Sequence, residues 1–421
     1  MSKIVLYRLL THSLIFFIIS LAVHPAKAQI QRCATNETRQ SQPKWLARQA
    51  AAAQQIQAAL DAPSIQTRAV LKIPVVVHIV WNQAAENISD EQVLSQIEVL
   101  NQDFRAKNIE FATIPSIFRE VAADTEIEFC LAQMDERDRP TTGITRTFTT
   151  EIAIANNQAL IKNGVFGGAD AWDTKRFLNI WVGHRDDNIL GEATMPGEAS
   201  EEEDGIVMDY RAFGTIGAVF GNEPYVLGRT LTHEVGHYLG LQHPWGSGFN
   251  NATCANDDGL SDTPIQSGTY ADECPNGTQS SCNSSDMYMN FMNYTNDACM
   301  SMFSLQQKQR MLAVLQSVRR ALTENTDATC EDTSTLTSNF IQEQVEIFPN
   351  PAQNFIQIRL KNDYSHHLAV KIYNGLGQEV LHLNFDASKE YLLSLEDFPS
   401  GIYYLHFFAG TQYFVQPVIV E

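Results

Sequence analysis

Residues 233–243 read His-Glu-Val-Gly-His-Tyr-Leu-Gly-Leu-Gln-His, and no other stretch of the chain restricts its fold so tightly. His233 and His237 are four apart, so a helix places both imidazoles on one face, one turn from each other. Gly240 then permits the positive φ that turns the chain out of the helix and returns a third imidazole, His243. Three imidazoles leave one position open on a four-coordinate ion, the layout of a catalytic zinc site, and Glu234 stands where a general base is needed. The pattern His-Glu-x-x-His alone arises on ordinary amphipathic helices. With 23 Gly and 11 His in 421 residues, the added Gly and His both fall in place by chance with a probability of roughly 0.0014. That number decides for zinc over a face of solvated histidines.

The extended motif resembles the metzincin clan of zinc proteases. That clan needs a methionine-bearing turn downstream, and Asn290-Phe291-Met292-Asn293-Tyr294-Thr295 supplies one. Met292 would floor the metal site, and the Tyr294 phenol could donate to an oxyanion. Further matches are His243-Pro244-Trp245-Gly246, Asp262-Thr263-Pro264, Asp297-Ala298-Cys299-Met300 and Met302-Phe303. Together they resemble the pappalysin family, in its cytophagalysin/ulilysin branch, over about residues 68–325. The resemblance implies an endopeptidase of extracellular proteins with a cleft between an upper and a lower subdomain. It also implies calcium near the zinc, and in that branch a preference for arginine just after the scissile bond. Asp297 is the candidate acid for such a pocket. Asp257, Asp258 and Asp262, clustered in one polar loop, are the candidate calcium ligands, since calcium takes carboxylate and carbonyl oxygens.

The N-terminus reads as a secretory signal over residues 1–28. Lys3 and Arg8 precede an apolar core from Leu14 to Val23, and Ala26-Lys27-Ala28 fits a cleavage site. No later run approaches the length of a transmembrane helix. Residues 29–67 then form an expected pro-segment, its Lys44–Leu60 stretch rich in Ala and Gln. The resemblance makes this segment removable, with Cys33 in Gln31-Arg32-Cys33-Ala34 as a thiolate ligand that silences the zinc; a disulfide partner is the other role open to Cys33. Maturation is expected near Thr67-Arg68-Ala69, by self-cleavage if arginine is preferred.

Seven cysteines leave one over once pairs form. By resemblance Cys254 pairs with Cys282 and Cys274 with Cys299, stapling a loop that has little core of its own. Cys130 and Cys330 are left either as a third bridge or with Cys130 as a buried thiol.

The expected fold of residues 68–330 is α+β, a twisted mixed sheet plus the active-site helix. Ile73–Trp81 and Phe177–Val182 read as buried strands, with His78 a core or edge histidine rather than a ligand. Ser89 opens a helix with Gln92 in a capping box. Gly191–Thr194 is the candidate edge strand for an antiparallel substrate. Helices are expected over Leu227–Leu239 and Gln306–Leu322. Residues 331–343 read as a polar linker. Residues 344–421 alternate in short apolar runs (345–348, 355–360, 369–373, 401–407) and read as a small all-β sandwich. That part resembles the C-terminal sorting domain of type IX secretion, implying the secretion machinery as partner and a secreted or cell-surface location. The formal charge, 29 − 49 = −20, argues against nucleic acid or an anionic membrane as partner. Two rival readings are a catalytically silent adhesin on the same scaffold, which has no need of Glu234, and a zinc hydrolase of non-peptide bonds.

Overall fold

The computed structural model describes residues 31–35, 43–62, 70–217, 224–246, 253–271, 273–324, 330, 345–360, 368–374, 379–385, 390–409 and 412–421. The expected signal (1–28), the expected maturation cut (67–69) and the linker (331–343) lie outside them.

In chain order the first half contains β1 (Gln31–Cys33), α1 (Pro43–Leu60), β2 (Leu71–Trp81), α2 (Asp90–Phe104), β3 (Ala122–Ala123), β4 (Ile127–Leu131), β5 (Ile144–Phe148), α3 (Gln158–Ile161), β6 (Leu178–Gly183), β7 (Ile189–Ala193) and β8 (Ile206–Asp209). There follow α4 (Arg229–Tyr238), β9 (Ser280–Ser281), β10 (Ser284–Ser285), β11 (Phe303–Ser304) and α5 (Leu305–Gln316). One mixed sheet runs β1-β7-β8-β6-β2-β4, with β5 continuing beyond β4 along the same side of β2. β1 and β7 run together, antiparallel to the rest; β8, β6, β2, β4 and β5 pair in parallel. The β-branched run of β2 explains its central place, since Ile73, Val75, Val76, Val77, Ile79 and Val80 are all fully buried. One face of the sheet packs on α2, α4 and α5 through Val93, Ile97, Leu100, Leu231, Val235, Met311 and Leu315.

Ser89 caps α2 by accepting from Gln92 N at 3.2 Å, while the Gln92 amide reaches across to the carbonyls of Tyr210 and Phe213. The last helix is shorter than the expected Gln306–Leu322. It ends at Gln316, and a 3₁₀ turn takes over at Arg320–Thr323. The Ser317 hydroxyl donates to the Ala313 carbonyl, and Arg319 is drawn sideways onto the Tyr238 carbonyl and Asp204, so the α-helical ladder is not extended.

Residues 345–421 form two antiparallel sheets. One is β12 (Val345–Phe348), β13 (Phe355–Leu360) and β16 (Glu390–Ser394); the other is β15 (Glu379–Phe385), β14 (Leu368–Tyr373), β17 (Gly401–Ala409) and β18 (Gln412–Val420). Ile356, Ile358 and Leu393 from the first sheet meet Val370, Ile372, Leu405, Phe407 and Val418 from the second in one core. Three of these strands, β15, β16 and β18, were not read from the sequence. Pro417 hid β18, and it is tolerated because β18 is an edge strand. Among the described residues no helix is long and apolar enough to cross a membrane.

His78 is a core residue. Asn179 Oδ1 accepts from Trp172 N and lies 3.0 Å from His78 Nε2, so Nε2 carries the proton and Nδ1 accepts from Thr145 at 2.8 Å. The ring stacks on Trp181. Burial lowers its pKa from 6.5 to about 4. The folded state therefore binds the proton less well than the unfolded chain. The stability from this group is complete above pH 6.5 and is lost as pH falls toward 4, by up to about 3 kcal/mol. Denaturant unfolding across that range should show the loss, and His78→Gln should flatten it.

Candidate active site

Helix α4 begins at Arg229, after Gly228 in the left-handed region (φ 76°). It is two residues shorter at its start than the sequence suggests because Asp297 captures that end: its Oδ2 accepts from Leu227 N at 2.9 Å and from Arg229 N at 3.3 Å. Below, Thr232 donates to the buried Asp103 at 2.7 Å, and Arg229 is held by Glu110 and Asp103.

His233, His237 and His243 converge. Their Nε2 atoms are 3.0, 3.0 and 3.2 Å apart. Gly240 makes the return possible with φ 86°. His233 Nδ1 lies 2.8 Å from the Phe291 carbonyl and His237 Nδ1 lies 2.9 Å from the Leu241 carbonyl. A carbonyl can only accept, so both Nδ1 atoms carry protons and both Nε2 atoms are bare acceptors facing each other. Burial also pushes all three imidazoles toward the neutral form. Such acceptors repel unless a cation sits between them. Zinc–nitrogen bonds of about 2.0–2.1 Å at tetrahedral angles would set nitrogens about 3.3–3.4 Å apart, close to what is found. The donor set fits zinc.

Cys33 joins this group. Its Sγ and the three imidazole nitrogens lie within 4.8 Å of one another, the only such cluster of metal-binding side chains among the described residues. It is the free cysteine, whereas Cys254–Cys282, Cys274–Cys299 and Cys130–Cys330 are bonded. β1 brings it there by pairing with β7, Cys33 opposite Gly191, in the parallel sense.

Glu234 approaches from α4 so closely that a Cβ on Gly191 would lie 2.7 Å from its Cγ. Burial raises its pKa to about 8. Its Oε2 accepts from the Thr35 hydroxyl at 2.9 Å, and that hydroxyl accepts from Ala193 N. Thr35 escaped the sequence reading, because a lone threonine beside a cysteine carries no pattern.

Met292 lies beneath the motif helix: a Cβ on Gly236 would meet its Sδ at 2.3 Å. The turn that carries it is held by Asn290, which accepts from Met292 N and pairs amide to amide with Gln307 of α5. The Tyr294 ring packs 5.5 Å from His233 and 5.0 Å from His243, and its hydroxyl donates to the Cys33 carbonyl at 3.3 Å. His243 lies flat on Trp245.

Arg32 fills a neighbouring pocket. Its Nη2 donates to Asp297 Oδ1 and to the Thr295 carbonyl, each at 2.7 Å, and its guanidinium lies 4.5 Å over the Tyr225 ring. Both charged side chains are fully buried. The acidic loop is organised differently. Asp262 accepts from Ser304 Oγ and Gln306 N at the start of α5, and Asp258 binds Thr263. These carboxylates and Asp257 do not gather as a three-side-chain cluster among the described residues.

Comparison with known proteins agrees with this geometry. Residues 163–316 match the peptidase M43 family described as pregnancy-associated plasma protein-A, and residues 346–421 match the secretion system C-terminal sorting domain. An extracellular metalloprotease of Arthroderma gypseum is 30% identical over 241 residues, 56% of this chain and 69% of that protein. Another, of Arthroderma otae, is 28% identical over 59% of this chain and 79% of that protein. Among solved structures, a promirolysin mutant of Tannerella forsythia is 38% identical, covers 70% of this chain and 97% of its own, and superposes with a TM-score of 0.64. Mature mirolysin of the same organism in complex with a cleaved peptide is 41% identical, covers 62% and 98%, and has a TM-score of 0.58.

Proposed function

Because the chain belongs to the pappalysin family of peptidases and is a secreted zinc metallopeptidase with a type IX sorting domain, we propose that His233, His237 and His243 are its zinc ligands and Glu234 its general base. The observation that carries this reading is the convergence of three imidazole Nε2 atoms, two of them bare acceptors, beside a buried carboxylate. Zinc in that position supplies a Lewis acid that polarises the scissile carbonyl and eases ionisation of water. Glu234 takes the proton from the attacking water and passes it to the leaving amine. Tyr294 donates to the oxyanion of the tetrahedral intermediate once the Cys33 carbonyl has left its hydroxyl. Met292 holds the floor. The peptide substrate lies along β7, antiparallel to it, with Gly191 leaving room for Glu234.

The described form is the latent one: residues 29–67 are a pro-segment, ahead of a catalytic domain at 68–330, a linker at 331–343 and the sorting domain at 344–421. Cys33 would hold the zinc beside the three imidazoles, and Thr35 ties up Glu234. β1 runs parallel to β7, the reverse of a substrate, so the pro-segment fills the cleft without offering a peptide bond in the reactive direction. Arg32 occupies the specificity pocket, and its bonds to Asp297 and Thr295 support a preference for arginine just after the scissile bond. The Thr67–Arg68 bond then suits self-cleavage. Calcium belongs to the disulfide-stapled loop 254–282. Asp257, Asp258 and Asp262 with nearby carbonyls are its candidate donors, and each of the three carboxylates accepts a hydrogen bond in the described form.

A mixed peptide library treated with the mature form should be cut, with arginine enriched after the scissile bond. Cutting should vanish with a zinc chelator and in Glu234→Ala. Cleavage that survives both would sink the mechanism. Asp297→Asn keeps the shape but removes the charge, and should lower kcat/KM for arginine peptides about 30-fold or more while sparing others. An unchanged preference would place the specificity elsewhere. Cys33→Ser in the full-length zymogen should give activity before any cleavage, read with a fluorogenic peptide. A variant as silent as the parent would show that the thiolate is not the latch.

A further inference from the structure

α1 lies apart from the cleft, yet it is not a loose appendage. Its inward stripe is Trp45, Gln49, Ala52, Ile56, Ala59 and Leu60, at helical spacing, whereas Ala51, Ala53, Gln54, Gln55, Gln57 and Ala58 face solvent. Ala52 and Ile56 are buried to 4% and 6% exposure. Ile56 enters the main core of the catalytic domain, and Ala59 and Leu60 pack against it. The floor beneath is shaped for a helix backbone. Gly197 sits at φ 78°, and a Cβ there would come within 2.8 Å of the Arg48 carbonyl and 2.9 Å of the Ala52 Cβ. Arg48 Nη2 donates to the Glu198 carbonyl at 3.1 Å. The nearby acids Glu201 and Asp204 are already paired with Lys175 and Arg319, so the seat holds α1 by shape and apolar contact rather than by charge.

We propose that this strip, between α5 and residues 196–204, is a helix-binding groove that retains the pro-segment after the bond near Arg68 has been cut. The inference rests on the reading of residues 29–67 as a pro-segment. The groove shares no residue with the cluster of Cys33 and the three histidines or with the Arg32 pocket. The pro-segment is thus a two-point ligand, with β1 in the cleft and α1 in the groove, joined by residues 36–42. Each anchor keeps the other at high local concentration, so a single cut yields a nicked, silent complex. Activity then needs a second event: a cut in 36–42 or the loss of α1 from its groove.

The test uses the full chain with Glu234→Ala, to prevent self-cleavage, and a site-specific protease sequence in place of residues 63–69. After cutting, size exclusion followed by mass spectrometry reads whether the fragment stays. It should co-elute, and Ile56→Asp or Ala52→Glu should speed its release at least tenfold. Immediate loss from the unaltered groove, or equal retention in both variants, would overturn the proposal. Cys33→Ser on the same readout separates the two anchors. Release through Cys33→Ser alone refutes the groove and leaves the cysteine latch standing, whereas release through Ile56→Asp alone keeps the groove and refutes the latch. A folding-independent check is a synthetic 43–60 peptide added to the mature form, read by Trp45 fluorescence. It should bind, and its Ile56→Asp version should bind at least tenfold more weakly; equal binding, or none by either, refutes the groove.

Discussion

Three imidazole nitrogens held within 3.2 Å of one another, those of His233 and His237 with their lone pairs turned inward, are the constraint around which the catalytic domain is built. The arrangement is unfavourable for uncharged acceptors, so each ring has to be held from behind. The Phe291 carbonyl holds His233, the Leu241 carbonyl holds His237, and Trp245 lies flat against His243. These supports come from different segments. The Phe291 carbonyl stays in place because Asn290 is bonded to Gln307 of α5, and the helix that bears two of the rings rests on Met292. A metal centre of this kind is therefore a property of packing as much as of the ligands.

Residues 32–35 meet Asp297, the histidine cluster and Glu234 at once. A buried Arg32–Asp297 pair costs desolvation, and Arg32 Nε and Nη1 have no hydrogen-bond partner among the described residues. Such a pair adds little net stability but sets register. Here the register puts Cys33, one residue on, against the histidines, and Thr35, two further, against Glu234. Asp297 serves two ends at once, since its other oxygen receives the first amides of α4. The partner of Arg32 and the start of α4 are thereby one structural unit. Two disulfides close the loop beside it, and Cys130–Cys330 ties the far end of the catalytic domain back to β4.

Much of this could be read from local pattern. A motif such as 233–243 is legible because its chemistry depends on spacing along one helix and one glycine turn, both set by residues close in sequence. The central strand β2 announced itself by its unbroken β-branched run, and His78 within it had no partners at ligand spacing. The last helix misled because Ala321 and Leu322 continue its periodicity, while the break at Ser317 depends on Tyr238 and Asp204, far away in the chain. In the sorting domain, β18 was hidden by a proline that only an edge strand accepts, and β15, β16 and β18 expose Val380, Leu392 and Ile419, which blurs the apolar/polar alternation.

The sequence by itself determined the convergence-ready His-Glu-x-x-His…His pattern, the count of cysteines and the division into an α+β part followed by an all-β part. Those follow from residue type, from spacing within about ten positions and from alternation along strands. Only the tertiary structure decided that Arg32 meets Asp297, 265 positions away, that Thr35 meets Glu234, that β1 pairs parallel to β7, and that α1 has a seat cut by Gly197. Contacts of that range leave no periodic trace in the chain. They exist because the folded sheet and helices bring otherwise unrelated segments within hydrogen-bond distance.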